Sequence, residues 1–299
     1  MKKILSLVLS FLILVSMIGC GSNAKSKGVT VSDSRGVQVS LEAPPQKMIS
    51  LIPSDTEILY ALGVGDKLIA VSDYCNYPED TAKKQKLPTG EQLNIETLIA
   101  MKPDVVFLGQ MSAMEDQVKQ LESAGIKVVV TEANSLDETY QVIEMIGVVT
   151  GKSKEASKLV SDMKTSFEAI VKGVAGLPSL KVYVEVSPLQ YGLWSCGEGT
   201  FVQELLVLVG AENIFRDVSG WSAVSEEQVI ERNPDIILTT ASPLTGIEDP
   251  VGDIVGRQNW SGINAVKNQD VFMLDADMLS RPGPRLVLAA EELLKAMGR

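Results

Sequence analysis

The apolar positions of this chain change period in a regular way. Short runs of consecutive apolar or β-branched residues, at Met48–Ile52, Leu68–Val71, Val105–Leu108, Ile126–Thr131, Lys181–Val186, Ile236–Leu238 and Val271–Leu274, are separated by stretches whose apolar residues recur every three or four positions. Runs of the first kind, bounded by turn residues, fit strands buried on both faces, and the second spacing fits amphipathic helices. Helices are expected from Glu57, over Asn94–Lys102, Met114–Ser123, Asp137–Val149, Ser153–Gly173 and Ser225–Asn233, and from about Pro284 to Gly298. Val29–Val31 and Val37–Leu41 alternate about Ser34-Arg35-Gly36 and read as a hairpin. Strand and helix alternate in both halves, so the expected fold class is α/β with largely parallel sheets covered on both faces.

One unit occurs twice. Asn94-Ile95-Glu96 and Ser225-Glu226-Glu227 each lead, seven residues beyond the glutamate, to Pro-Asp and a buried run, and the two glutamates are 131 positions apart (227 − 96). Asn94 and Ser225 can accept from the free amides of a first turn, and the glutamates favour the positive end of the helix dipole. Proline then ends each helix near Lys102 or Asn233. Glu57-Ile58-Leu59-Tyr60-Ala61-Leu62-Gly63 likewise resembles Glu204-Leu205-Leu206-Val207-Leu208-Val209-Gly210, so two lobes of related plan are expected. The apolar stripe of Ala156, Leu159, Val160, Met163, Phe167, Ile170 and Val171 stands between them, about six helical turns long, as a bridge. Ser54 or Asp55 is expected to cap the Glu57 helix.

The amino terminus has a different character. Lys2-Lys3 precede an apolar run of 15 residues, Ile4–Ile18, shorter than the roughly 20 needed to span a bilayer. Residues 1–19 therefore read as a signal peptide. Met17-Ile18-Gly19-Cys20 resembles a bacterial lipobox, with Met17 where leucine is usual, and implies lipidation at Cys20; an incidental thiol in an ordinary signal peptide is the alternative. The polar stretch to Gly28 reads as a flexible tether. The expected organisation is 1–19 signal peptide, 20–28 lipidated cysteine and tether, 29–151 N-lobe, 152–176 bridging helix and 177–299 C-lobe, in a monomer held outside the cell membrane by its lipid alone.

Charge and composition narrow the chemistry. The formal charge is −11, or −13 once Lys2 and Lys3 are gone, and no basic run exists, so nucleic acid is an unsuitable partner. Histidine is absent. That excludes histidine-built zinc sites, Ser-His-Asp triads and Cys-His dyads. Cys75 and Cys196 fall one in each expected lobe; a disulfide would staple the lobes together, and two separate buried thiols are favoured. The loop Ser72-Asp73-Tyr74-Cys75-Asn76-Tyr77-Pro78 lies beyond a strand's carboxyl end, where open α/β sheets bind ligands.

Ser50-Leu51-Ile52-Pro53-Ser54-Asp55-Thr56-Glu57, Tyr74-Cys75-Asn76-Tyr77-Pro78, Gly210-Ala211-Glu212-Asn213-Ile214-Phe215, Trp221-Ser222-Ala223-Val224-Ser225-Glu226-Glu227 and Arg281-Pro282-Gly283-Pro284-Arg285 together resemble the solute-binding lipoproteins of ABC importers for vitamin B12 and iron chelates, nearest to the vitamin B12-binding branch. The resemblance covers roughly Val29–Arg299. It implies two Rossmann-like lobes joined by one long rigid helix, with the ligand in the cleft between them. It further implies a corrinoid as cargo, no resident cofactor or metal, no catalysis, and delivery to a permease dimer with cytoplasmic ATPase subunits. Residue by residue, it carries ligand contact to Tyr74, Trp194, Trp221 and Asp277, and permease docking to Glu96 and Glu227. Aromatic faces suit a macrocycle and a carboxylate suits its amide arms. Where vitamin B12 binders have tryptophans after Thr89 and near Leu108, this chain has Gly90 and Gly109, and Gln110 and Met111 are expected to fill that wall. Arg281 is a loop arginine that could meet an anionic ligand or a carboxylate, Tyr77 is a further candidate, and Trp260 is expected in lobe packing. A ferric siderophore or haem is the alternative cargo, and an extracytoplasmic enzyme a distant alternative function.

Overall fold

A computed structural model describes residues 28–89, 92–109, 115–242 and 246–299. Cys20, Gly90, Gln110 and Met111, with the signal peptide and nearly all of the tether, lie outside the described residues.

The hairpin pairs β1 (Val29–Ser32) with β2 (Gln38–Leu41) antiparallel. The first sheet then contains β3 (Met48–Ser50), β4 (Leu68–Ser72), β5 (Gln85–Leu87), β6 (Val105–Gly109) and β7 (Lys127–Thr131) in the order β5-β4-β3-β6-β7, every pair parallel. The second contains β8 (Leu180–Glu185), β10 (Ala211–Asn213), β12 (Ile236–Thr239) and β13 (Val271–Met273) in the order β10-β8-β12-β13, again all parallel. In each sheet the first strand is internal, flanked by the second strand on one side (β4 beside β3, β10 beside β8) and by a later one on the other (β6 beside β3, β12 beside β8), and the first sheet adds β5 outside β4. The plans are therefore related. A short antiparallel ribbon, β9 (Trp194–Cys196) with β11 (Trp221–Ala223), is added to the second lobe.

Strand burial follows the period of two expected for sheets covered on both faces. Val105 and Phe107 belong to one core and Val106 and Leu108 to another, all fully buried. Helices α1 (Pro53–Ala61), α2 (Ile95–Met101), α3 (Glu115–Ser123) and α4 (Leu136–Thr150) belong to the first lobe. α5 (Ser153–Val174) has 22 residues, about 33 Å at 1.5 Å per residue. Its buried stripe of Ala156, Val160, Met163, Phe167 and Ile170 joins residues of both lobes in one continuous core. Val171 was expected in that stripe and is instead exposed. The second lobe carries α6 (Phe201–Leu208), α7 (Glu226–Arg232), α8 (Pro250–Val255), α9 (Asn264–Asn268), α10 (Ala276–Ser280) and α11 (Leu286–Ala296).

One local expectation is corrected. Neither Ser54 nor Asp55 caps α1: the helix opens at Pro53, Ile52 is its N-cap, and no side chain caps it. Proline at the first helical position already has the required φ and lacks an amide to satisfy. Lys102 and Asn233, before Pro103 and Pro234, end their helices where expected, outside the right-handed helical region. Both adopt the left-handed conformation, φ 50° and 46°. Each closes its helix through its own backbone amide, which donates to Ile99 O and Val229 O respectively.

The interlobe seam and its candidate ligand wall

The loops beyond the carboxyl ends of the two sheets meet one another. Glu57, in the second turn of α1, is buried at 3% exposure. Its carboxylate accepts from Arg285 Nη2 at 2.6 Å and Nε at 2.8 Å, and from Arg281 Nη1 at 3.1 Å. Both arginines lie between α10 and α11 of the other lobe and are themselves buried. Arg281 also donates to Asn76 Oδ1 at 2.7 Å and to the carbonyl of Tyr74 at 3.1 Å, and pairs with Asp277 Oδ1 at 2.6 Å. Asn76 Nδ2 donates to Asp277 Oδ2 at 2.6 Å, and the Arg285 guanidinium lies 4.4 Å from the centre of the Tyr77 ring. Glu57 and Asp277 together balance the two arginines in charge.

The same relation recurs at the other side of the seam. Glu204, on α6, accepts from the amide of Leu136, the first residue of α4, at 2.7 Å. Each lobe's first helix thus sends a glutamate to the start of the other lobe's terminal helix.

The candidate ligand residues occupy this region unevenly. Tyr74 follows β4 and is 67% exposed. Trp194 and Trp221 are 43% and 39% exposed and lie diagonally on one face of the β9–β11 ribbon, because Trp194 pairs with Ala223 and Trp221 with Cys196. Trp221 packs edge-to-face on Phe201 at 6.2 Å, which fixes its ring. Asp277 has both oxygens engaged, by Asn76 and Arg281. Arg281 meets a buried carboxylate of the opposite lobe together with two loop partners, so its donors are committed within the protein. Trp260 is fully buried in the second lobe, as expected.

Glu96 and Glu227 are both exposed in first turns. Asn94 accepts from Thr97 N at 3.0 Å, and Ser225 forms a reciprocal capping box with Gln228. The Glu227 carboxyl is held below its usual range by its own backbone amide and by Ser225. Neighbouring Glu226 accepts from the indole of Trp260 at 2.9 Å. That indole lies 4.3 Å from Arg257, which is paired bidentately with buried Glu185 at 2.7 and 2.9 Å. The α7 knob is thereby tied into the core of its lobe.

Cys75 and Cys196 are free and buried. Burial raises both thiols, Cys196 to about 12. Among the described residues no group of three His, Cys, Asp or Glu side chains could hold a metal, and no helix is long and apolar enough to cross a membrane.

Two α/β lobes of related plan, bridged by one helix and meeting at the carboxyl ends of their strands, define a bilobal binding protein. The chain belongs to the periplasmic binding protein family, whose sequence profile matches residues 48–278. It is 37% identical over 301 residues to an uncharacterized ABC transporter substrate-binding lipoprotein, YvrC of Bacillus subtilis, covering 95% of this chain and 93% of that one. It is 30% identical over 266 residues to the vitamin B12-binding protein of Salmonella paratyphi A, covering 87% and 93%. Among solved structures it is similar to a possible iron-binding, periplasmic solute-binding protein of Staphylococcus epidermidis, with TM-score 0.74, 35% identity, and 85% and 99% coverage. It is also similar to the periplasmic vitamin B12 binding protein BtuF of Vibrio cholerae, with TM-score 0.70, 27% identity, and 85% and 97% coverage. The chain is thus a solute-binding protein of ABC transport, in a family of binding proteins that take small ligands to a permease with its ATPase.

Proposed function

We propose that this protein is an extracytoplasmic receptor, lipidated at Cys20, that captures a corrinoid between its lobes and hands it to an ABC permease. The observation that carries the ligand reading is the exposure of Tyr74, Trp194 and Trp221 on loops and a ribbon beyond the strand ends, where large aromatic faces are open to solvent. A corrin ring offers a broad apolar face to such a wall, and its amide arms suit the polar groups around it. The vitamin B12-binding relatives support the same cargo. Gln110 and Met111, outside the described residues, stay candidates from the sequence alone in this reading, and Asp277 and Arg281 contribute by shaping the edge of the wall. Glu96 and Glu227 are the two docking contacts, one per lobe, for the two permease subunits.

A ferric chelate is the second reading, favoured by the likeness to the possible iron-binding protein of S. epidermidis. Titration of the full chain with cyanocobalamin, haem and ferric siderophores separates the two. Binding of a corrinoid tighter than about 1 μM is expected, and failure of every corrinoid to bind at that level removes the first reading. Glu96→Ala with Glu227→Ala is expected to leave ligand affinity unchanged and to reduce uptake. Unimpaired transport by the double variant would reduce these residues to helix-terminus charges.

A further inference from the structure

Glu57 is not itself a candidate ligand contact, yet it bonds Arg281, which is one, and more of the seam depends on it than on any of them. Its two oxygens take three hydrogen bonds from Arg281 and Arg285. A carboxylate gripped bidentately by one guanidinium and again by a second has its direction as well as its distance fixed. The carboxylate is rooted in α1 of one lobe and both guanidinia in the other. A relative movement of the lobes by an ångström or two would break all three bonds at once.

The consequence reaches the ligand wall through Arg281. Its remaining donors hold the Tyr74 carbonyl and the Asn76 side chain, so the backbone that presents the Tyr74 ring is registered against the opposite lobe. Arg285 meanwhile lies over the Tyr77 ring. Without Glu57, the two buried guanidinia would lose the buried carboxylate they share, leaving Asp277, which is half-buried and already bonded to Asn76, and Asp275 near Arg285. An unbalanced buried charge pushes its segment toward water. The opposite clasp is weaker in kind, since Glu204 makes one hydrogen bond to a neutral amide, beside an open groove lined by Tyr140, Phe167, Val171 and Val207.

We infer that Glu57 is the positioning residue of the cleft: by holding Arg281 and Arg285 it fixes the spacing of the two lobes and the placement of the Tyr74–Tyr77 loop before any ligand arrives. The inference rests on the interlobe reading of the ligand site only for its effect on affinity; the lobe spacing itself is a property of the empty protein.

Hydrogen–deuterium exchange of the unliganded full chain, wild type against Glu57→Gln, tests it. Exchange is expected to accelerate tenfold or more at residues 73–78 and 276–286, with the β6 and β12 cores unchanged. In cyanocobalamin titrations the variant should lose affinity through faster dissociation. A second variant, Glu57→Leu with Arg281→Met and Arg285→Met, leaves no buried charge unpaired. It should fold with near wild-type stability, still show the local acceleration, and bind more weakly, which covers the case in which Glu57→Gln does not fold. Unchanged exchange in both segments of a folded variant overturns the inference, and so does an acceleration spread evenly over the chain, which would make Glu57 a general stabiliser. Failure of the wild type to bind cyanocobalamin would overturn the corrinoid reading alone, because the exchange result still decides the role of Glu57.

Discussion

Asp55→Asn should remove a loss of stability that this protein suffers as the pH rises from about 4 to 7. Asp55 is buried at 1% exposure beneath the carboxyl end of the first sheet. Its Oδ2 accepts from Thr131 Oγ1 at 2.7 Å, and its Oδ1 has no partner among the described residues. Burial raises this carboxyl from its ordinary 3.8 to about 7, with the Thr131 hydrogen bond opposing. The folded protein therefore keeps a proton across this range that the unfolded chain has released. Stability from this group is fully present below pH 3.8, falls as the pH rises through the interval, and is gone above about 7. At about 1.4 kcal/mol for each tenfold change in proton affinity, the whole interval amounts to about 4 kcal/mol. Asparagine resembles the protonated acid in shape and carries no charge to desolvate. Urea unfolding followed by circular dichroism should therefore give wild type and variant equal stability near pH 4, within about 1 kcal/mol, and should favour the variant by about 3–4 kcal/mol at pH 8. A difference that stays constant from pH 4 to pH 8 would refute the protonated state of Asp55.

Three further outcomes follow from packing and burial. Gly147→Ala places a methyl 2.4 Å from the Ala156 Cβ where α4 crosses α5. It should lower stability by about 1–3 kcal/mol, although alanine is the better helix former by about 1 kcal/mol; an equal or raised urea midpoint would contradict that crossing. Arg257→Met strands buried Glu185 and should cost about 3–5 kcal/mol, most of it recovered when Glu185→Leu is added; equal losses in single and double variants would show that packing, not charge pairing, matters there. Cys75 and Cys196 should resist a thiol reagent in the native protein and react upon unfolding, and migration on a non-reducing gel should match the reduced chain; rapid native reaction would contradict their burial.

The α/β class was legible because strands covered on both faces leave unbroken apolar runs and helices leave a three-to-four period. The bridge was legible because Ala156, Val160, Met163, Phe167 and Ile170 keep one face over 22 residues. The short strands β5 and β10 and the β9–β11 ribbon were not read, since three residues carry no period and the ribbon's Trp194-Ser195 and Trp221-Ser222 sit among glycines and serines that read as loop. Tyr74, Trp194 and Trp221 were singled out because large aromatics in polar loops have little local reason to be there. Glu57 was passed over as an ordinary helical residue. Its signal was an acid heading an apolar run, Glu57-Ile58-Leu59, yet its partners lie more than 220 positions away (281 − 57 = 224), and no local pattern links them. Arg281 was read as able to meet either a ligand or a carboxylate, and the carboxylate proved to be a buried one from the other lobe.

The paired glutamates of the seam give the molecule an internal symmetry. In a dimer with twofold symmetry, a residue on one copy meets a given surface of its partner, and the partner's equivalent residue meets the same surface in return. Glu57 and Glu204, on equivalent first helices, each reach the start of the other half's terminal helix. That reciprocity gives the joined halves the pseudo-twofold relation of a face-to-face dimer, with α5 as the link between them. The two sides differ in chemistry: one is a four-charge cluster, and the other a bond to a main-chain amide.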